Sequence, residues 1–131
     1  MICPICNKAM IVLELIQVEI DYCQICEGLW LDSGELELLL ENTDKRDEFL
    51  DSFDMTDKSG EKSIKCPICL KKMSKILAGE KKNLTLDKCI RNHGVWLNKG
   101  ELESVYILAG SENQNRVRKF LSDVFSSRNR Q

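Results

Sequence analysis

Cys3-Pro4-Ile5-Cys6 opens the chain, and the same four residues return as Cys66-Pro67-Ile68-Cys69. Outward from these tetrapeptides the match continues at fixed offsets. Met10 lies four residues after Cys6, and Met73 lies four after Cys69. Ile20-Asp21-Tyr22-Cys23 corresponds to Leu86-Asp87-Lys88-Cys89. Gly28-Leu29-Trp30-Leu31-Asp32-Ser33-Gly34-Glu35-Leu36-Glu37 corresponds to Gly94-Val95-Trp96-Leu97-Asn98-Lys99-Gly100-Glu101-Leu102-Glu103. Agreement that includes the scarce residues Cys and Trp marks a tandem duplication. The second copy has 19 residues between its cysteine clusters against 16 in the first. The extra residues are expected in a loop around Ala78-Gly79-Glu80-Lys81-Lys82-Asn83.

A Cys-x2-Cys pair puts two thiolates on one tight turn, and a second pair at the end of a hairpin completes a tetrahedron around one ion. Cys3, Cys6, Cys23 and Cys26 fulfil that pattern. Tetrahedral thiolate suits zinc, with iron as the competing ion. In the second copy Cys66, Cys69 and Cys89 align with three of these positions, but Asn92 stands where Cys26 does. His93 is one residue further on and has the reach to be the fourth ligand; the alternative is three sulfurs plus water. Two Zn2+ ions are therefore expected. Each copy has about 45 residues, below the size at which an apolar core alone usually suffices, so metal binding should supply folding free energy. Disulfide exchange is a competing use of such cysteines, but the βαβ setting of redox Cys-x2-Cys pairs is missing. A redox switch by zinc release is the alternative that stays open, since thiolate ligands can be oxidised.

Between the cysteine clusters the residues read as short hairpins, Ala9–Glu14 with Gln17–Tyr22 and Lys72–Leu77 with Leu84–Lys88. Each copy then starts a helix, with Asp32 and Asn98 as candidate N-caps and Glu35 and Glu101 completing capping boxes. Asp44–Phe53 reads as a second, acidic helix. Ser111 and Gln114 can start a last helix, on which Val117, Phe120, Leu121, Val124 and Phe125 form one apolar stripe. Trp30 and Trp96 could stack on bases, but their apolar neighbours make them core residues.

The 131 residues are 31% charged, 43% hydrophobic and 6% aromatic. No apolar run approaches the roughly 18–20 residues that span a bilayer, and Met1-Ile2-Cys3-Pro4 does not resemble a secretory leader. Seven cysteines suggest metal-bound thiolates in a reducing, cytoplasmic setting. The net charge of −2 conceals a split. Residues 1–60 hold 4 basic and 14 acidic side chains, whereas residues 61–131 hold 15 basic and 7 acidic.

The pattern Cys-Pro-x-Cys … Cys-x-x-Cys-x-Gly-x-Trp-Leu-Asp-x-Gly-Glu-Leu resembles the prokaryotic transcription factor IIB-type zinc ribbon family, over Cys3–Leu39 and again over Lys65–Leu108. The resemblance implies a small β zinc ribbon followed by a short helix, with no enzyme activity. It carries Cys3, Cys6, Cys23, Cys26, Cys66, Cys69 and Cys89 over as ligands, and Asn92 is the departure. The fold expected is thus a small metal-stabilised α+β chain of two tandem zinc ribbons plus a C-terminal amphipathic helix. Its divisions are 1–53 (first ribbon with an acidic helix), 54–64 (linker), 65–109 (second, basic ribbon) and 110–131 (terminal helix and basic tail).

Function is expected to be structural zinc binding beside nucleic acid or transcription, because Lys65, Lys71, Lys72, Lys75, Lys81, Lys82, Lys88 and Arg91 cluster on the second copy. Arg116, Arg118, Lys119, Arg128 and Arg130 add charge on or beyond the last helix. Such residues make salt-dependent phosphate contacts. Residues 61–95 contain no Phe, Tyr or Trp to stack on bases. The alternative is a protein-interaction adaptor, with a protein partner or a second copy met head to tail. Neither a membrane nor a catalytic constellation is expected.

Overall fold

The computed structural model describes residues 1–56, 62–111 and 114–129. Its framework is a small α+β fold built on antiparallel strands. Strands β1 (Ile11–Leu15) and β2 (Val18–Tyr22) form the first hairpin. Ile16 and Gln17 join them with φ of 49° and 64°, the left-handed pair that matches the strand twist in a two-residue turn. Val18, Ile20 and Tyr22 alternate inward. In the second copy β5 (Ser74–Ala78) and β6 (Leu84–Lys88) pair across the five residues Gly79–Asn83. The longer spacing of the second copy is therefore spent in this loop, as its sequence indicated.

Two further strands, β3 (Leu29–Asp32) and β7 (Gly94–Leu97), join the copies. Sequence patterns alone assign these segments no secondary structure. Their register is Leu29↔Leu97, Trp30↔Trp96, Leu31↔Val95 and Asp32↔Gly94. Leu29 corresponds to Val95 in the repeat and Leu31 to Leu97, so the first and third pairs exchange when the copies are exchanged. The Trp30–Trp96 pair maps onto itself. The copies thus meet as an isologous, two-fold-like dimer inside one chain. A short strand β4 (Asp54–Thr56) pairs with β5, so the segment expected to begin the linker adds an edge to the sheet instead. Ser59-Gly60 lies outside the described residues. The strand order is β1-β2-β3-β7-β6-β5-β4.

Four helices accompany the sheet among the described residues: α1 (Glu35–Leu39), α2 (Arg46–Asp51), α3 (Glu101–Leu108) and α4 (Gln114–Asn129). Gly34 and Gly100 precede α1 and α3 with φ of 92° and 82°, and neither start has a side-chain cap. The capping boxes are therefore only half realised. Glu35 and Glu101 accept the backbone N–H of Asp32 and Asn98. The Asp32 and Asn98 side chains turn instead to the Trp30 and Trp96 indole N–H groups, at 2.8 and 2.9 Å. A buried indole N–H needs an acceptor, and that need takes these side chains from the helix start.

The main core lies where the sheet and helices meet, around Ile20, Leu31, Leu40, Phe49, Leu86, Leu102 and Val105. Helix α3 crosses to the first copy, where the Tyr106 hydroxyl donates to the Leu39 carbonyl at 3.1 Å. Val117 and Leu121 of α4 are buried in this core, and Phe120 and Val124 pack against it. The Phe125 and Arg128 side chains and Arg130 lie outside the described residues. No helix among the described residues is long and apolar enough to cross a membrane.

Candidate metal centres

Each metal cluster is assembled by two turns that the hairpins carry to one place. In the first, Asn7 N–H donates to the Cys3 carbonyl at 3.0 Å and Glu27 N–H to that of Cys23 at 2.9 Å. Both turns close on a left-handed residue, with φ of 58° at Asn7 and 62° at Glu27. Cys3 Sγ also faces the backbone N–H groups of Ile5 and Cys6, at 3.4 and 3.3 Å. The donor atoms of Cys3, Cys6, Cys23 and Cys26 all lie within 4.8 Å of one another.

The second cluster gathers Cys66, Cys69, Cys89 and His93 within the same 4.8 Å limit. Leu70 N–H donates to the Cys66 carbonyl at 2.8 Å, repeating the first turn of copy one. The other turn is one residue tighter. Asn92 N–H donates to the Cys89 carbonyl at 3.0 Å, and Asn92 itself takes the left-handed conformation, with φ of 61°. The outer ends of the turn are unchanged, since Cys23 N–H meets the Gly28 carbonyl at 2.9 Å and Cys89 N–H that of Gly94 at 3.1 Å. The early closure turns His93 back toward the sulfurs, which is how a donor displaced by one residue reaches the cluster.

The distances suit a tetrahedral ion. Sulfurs about 2.3 Å from one zinc stand about 3.8 Å apart, and a sulfur and an imidazole nitrogen on the same ion about 3.6 Å apart. Cys3 and Cys26 are separated by 3.7 Å, as are Cys69 and Cys89. His93 Nδ1 lies 3.4 Å from Cys89 Sγ and 3.9 Å from Cys66 Sγ. Two sites, one of four thiolates and one of three thiolates with an imidazole, are consistent with two zinc ions.

Electrostatics supports the same donor chemistry. Burial pushes the Cys6 and Cys26 thiols above their ordinary value. At Cys23 burial acts in the same sense, but backbone N–H donors from Cys26 and Ile25 outweigh it and lower the thiol. Burial pushes Cys66 up to about 11. Cys89 is also desolvated, yet the amides of His93 and Arg91 bring it down to about 7. Four crowded sulfurs do not ionise together unaided, and a divalent cation is what permits it.

Behind the clusters lies a second, sulfur-rich core. Trp30 and Trp96 are fully buried there with Met10, Met73 and the buried cysteines Cys3, Cys23, Cys66 and Cys89. Each indole covers a glycine of the other copy. A β-carbon at Gly28 would stand 2.1 Å from Cζ2 of Trp96, and one at Gly94 would stand 2.7 Å from Cζ2 of Trp30. The metal clusters therefore share one packing unit across the internal two-fold. The tryptophans are core residues, as their apolar neighbours indicated.

The cationic candidates divide. Lys71, Lys72, Lys81 and Arg91 are exposed, and Lys88 is half-buried. Lys75 is buried, with Nζ 2.5 Å from Asp87 Oδ1 on the neighbouring strand. Lys82 reaches Asp54 at 3.1 Å and donates to the Ser52 carbonyl. Lys75 is thus committed to the sheet, whereas Lys82 stays half-buried and paired to β4. The Lys75–Asp87 pair escaped the sequence reading, although placing the two predicted strands in register would have revealed it. A further bridge, Lys99 to Glu27 at 2.9 Å, links the copies.

Residues 2–42, the first copy, match the family model described as Transcription factor zinc-finger. No curated protein and no solved structure matches the chain.

Proposed function

We propose that this chain is a non-enzymatic structural zinc protein, two tandem zinc ribbons fused through β3 and β7, which works as an interaction module in a transcription-associated, reducing intracellular setting. Four protein donors at each cluster leave a tetrahedral ion no open position for substrate, which favours a structural over a catalytic metal. The transcriptional association draws on the family match of the first copy. The observation that carries the protein-interaction reading is the exposed aliphatic surface at the cluster turns. Ile5, Ile25, Ile68, Leu70 and Ile90 are 45–68% exposed there, although each sits beside or between metal-site residues. Rigid apolar side chains presented on metal-pinned turns are suited to protein docking.

Nucleic-acid binding is the second reading, supported by the exposure of Lys71, Lys72, Lys81 and Arg91. Fluorescence anisotropy of the zinc-loaded protein with duplex DNA, single-stranded DNA and RNA across a salt series separates the two. Absence of binding even at low salt is the outcome expected for a protein-docking face. Binding that falls steeply with salt, and weakens on neutralising Lys71, Lys72 and Lys81, would make phosphate contact the primary activity.

A further inference from the structure

The two Cys-Pro-Ile-Cys turns stand side by side. Between them runs a cleft of about 370 Å³, lined by Ile2, Pro4 and Ile5 from the first copy and by Ile64, Pro67 and Leu70 from the second. Its walls are braced by two isolated bridges, Ile2 with Ala9 and Lys65 with Lys72. Leu70 is the costly member. It is 68% exposed and holds a left-handed φ of 63°, which a branched apolar side chain disfavours. Its counterpart in the first copy is Asn7, a residue suited to that conformation, with φ of 58°. An apolar side chain kept on the rim at such a position suits a surface that is covered in use.

Among the described residues, the charge lining the cleft has one sign. Lys62 and Lys65 line it, and Lys8, Lys71 and Lys72 are exposed on the same turns. Residues 1–13 and 62–79, which build these turns, contain no Asp or Glu. Among the described residues no aromatic side chain lines the cleft, which gives a base no platform there. We propose that this cleft docks an extended acidic peptide segment of a partner protein. The peptide's apolar side chains seat against Ile2, Ile5 and Leu70, and Lys62, Lys65, Lys71 and Lys72 meet its carboxylates. This deepens the reading of the chain as an interaction module and rests on it.

The test is an NMR titration of the isotope-labelled, zinc-loaded full chain with a twelve-residue peptide that alternates Glu with Leu. A Glu/Ser peptide of equal charge and a single-stranded twelve-nucleotide DNA serve as competitors. Shifts centred on Ile2, Ile5, Ile64 and Leu70, absent with the Glu/Ser peptide, are expected. Leu70→Asn, which relieves the backbone, should leave the melting temperature unchanged or raised. It should also weaken the Glu/Leu peptide about tenfold, the effect of one lost apolar anchor. Lys71→Glu with Lys72→Glu should weaken it further and flatten its salt dependence.

Unchanged affinity in Leu70→Asn overturns the cleft as the site. Peptide shifts confined to another surface do so too, while leaving the interaction reading standing. DNA shifting the cleft residues while the peptide shifts nothing overturns both. The same residues shifting on concentration of the protein alone would replace the peptide by a second copy of the chain.

Discussion

The two copies solve one problem with different chemistry. The first holds its cluster with four sulfurs and closes both turns on residues that lie one place beyond a ligand, Asn7 and Glu27. The second lacks the fourth sulfur and recovers the donor by closing a turn one residue early, so that His93 swings in. The hairpins differ in the same way. Asp87 faces Lys75 directly across its strand pair, whereas Asp21, its counterpart, faces Val12. Burial consequently pushes the Asp21 carboxyl above its ordinary value of 3.8. The first copy has the full set of four thiolates and the second has the paired aspartate.

Metal removal is the strongest way to break this comparison. Complete chelation should abolish the near-ultraviolet circular dichroism of both halves, because the cysteines of both clusters pack on the same two tryptophans. Native mass spectrometry along the chelator titration should pass through a one-zinc species with its metal on Cys3, Cys6, Cys23 and Cys26. His93→Ala should start from that species, and a one-zinc protein loaded at the second cluster would reverse the ranking.

Next in size are the aspartates. Asp87→Ala strands the buried Lys75 and should cost about 3–5 kcal/mol. Asp21→Ala removes a carboxylate that has no facing cation and should cost less than about 1 kcal/mol. Urea denaturation of the two variants checks the contrast, and equal losses would mean that the facing lysine is irrelevant.

The tryptophan acceptors come third. Asp32→Ala removes a charged acceptor from Trp30 and should cost about 1.5–3 kcal/mol, against about 0.5–1.5 kcal/mol for Asn98→Ala at Trp96. Thermal melts at fixed zinc concentration test that order.

The smallest effect sharpens the comparison rather than breaking it. Val12→Lys copies the second hairpin's pair into the first and should gain at most about 1 kcal/mol, Val12 being exposed. Its sign with pH is fixed. A raised carboxyl favours the folded state only while protonated, so wild-type stability from Asp21 is present at low pH and lost as pH rises through the folded value. The advantage of Val12→Lys should therefore be absent near pH 3 and grow toward pH 7, as read from paired melting temperatures.

Much of this architecture is legible in the residue order. Cysteine spacing, hairpins and helix starts are local patterns, and His93 is the one histidine beside a missing ligand. The five-residue loop Gly79–Asn83 follows from subtracting one spacing from the other. What escapes is the union of the copies. Leu29-Trp30-Leu31 and Val95-Trp96-Leu97 are short apolar runs with neither helical nor alternating period, because as central strands they are buried on both faces. Nothing local says that their partners lie 66 residues away. The same long-range pairing redirects Asp32 and Asn98, whose local pattern promises helix caps but whose side chains satisfy indoles brought together by the sheet. Lys75 and Lys82 read as surface charge for the same reason: their anions come from neighbouring strands and turns.

The Trp30–Trp96 pairing also has a consequence during synthesis. The ribosome releases β3 long before β7 exists, so the first half emerges with an open strand edge. That edge ends in Gly28 and carries the sequence Leu29-Trp30-Leu31-Asp32. Because the internal interface is two-fold, β3 is close to its own complement, and two nascent first halves on neighbouring ribosomes can pair as β3 would with β7. Residues 1–56 expressed alone with zinc should accordingly form a dimer, its mass in solution being the check.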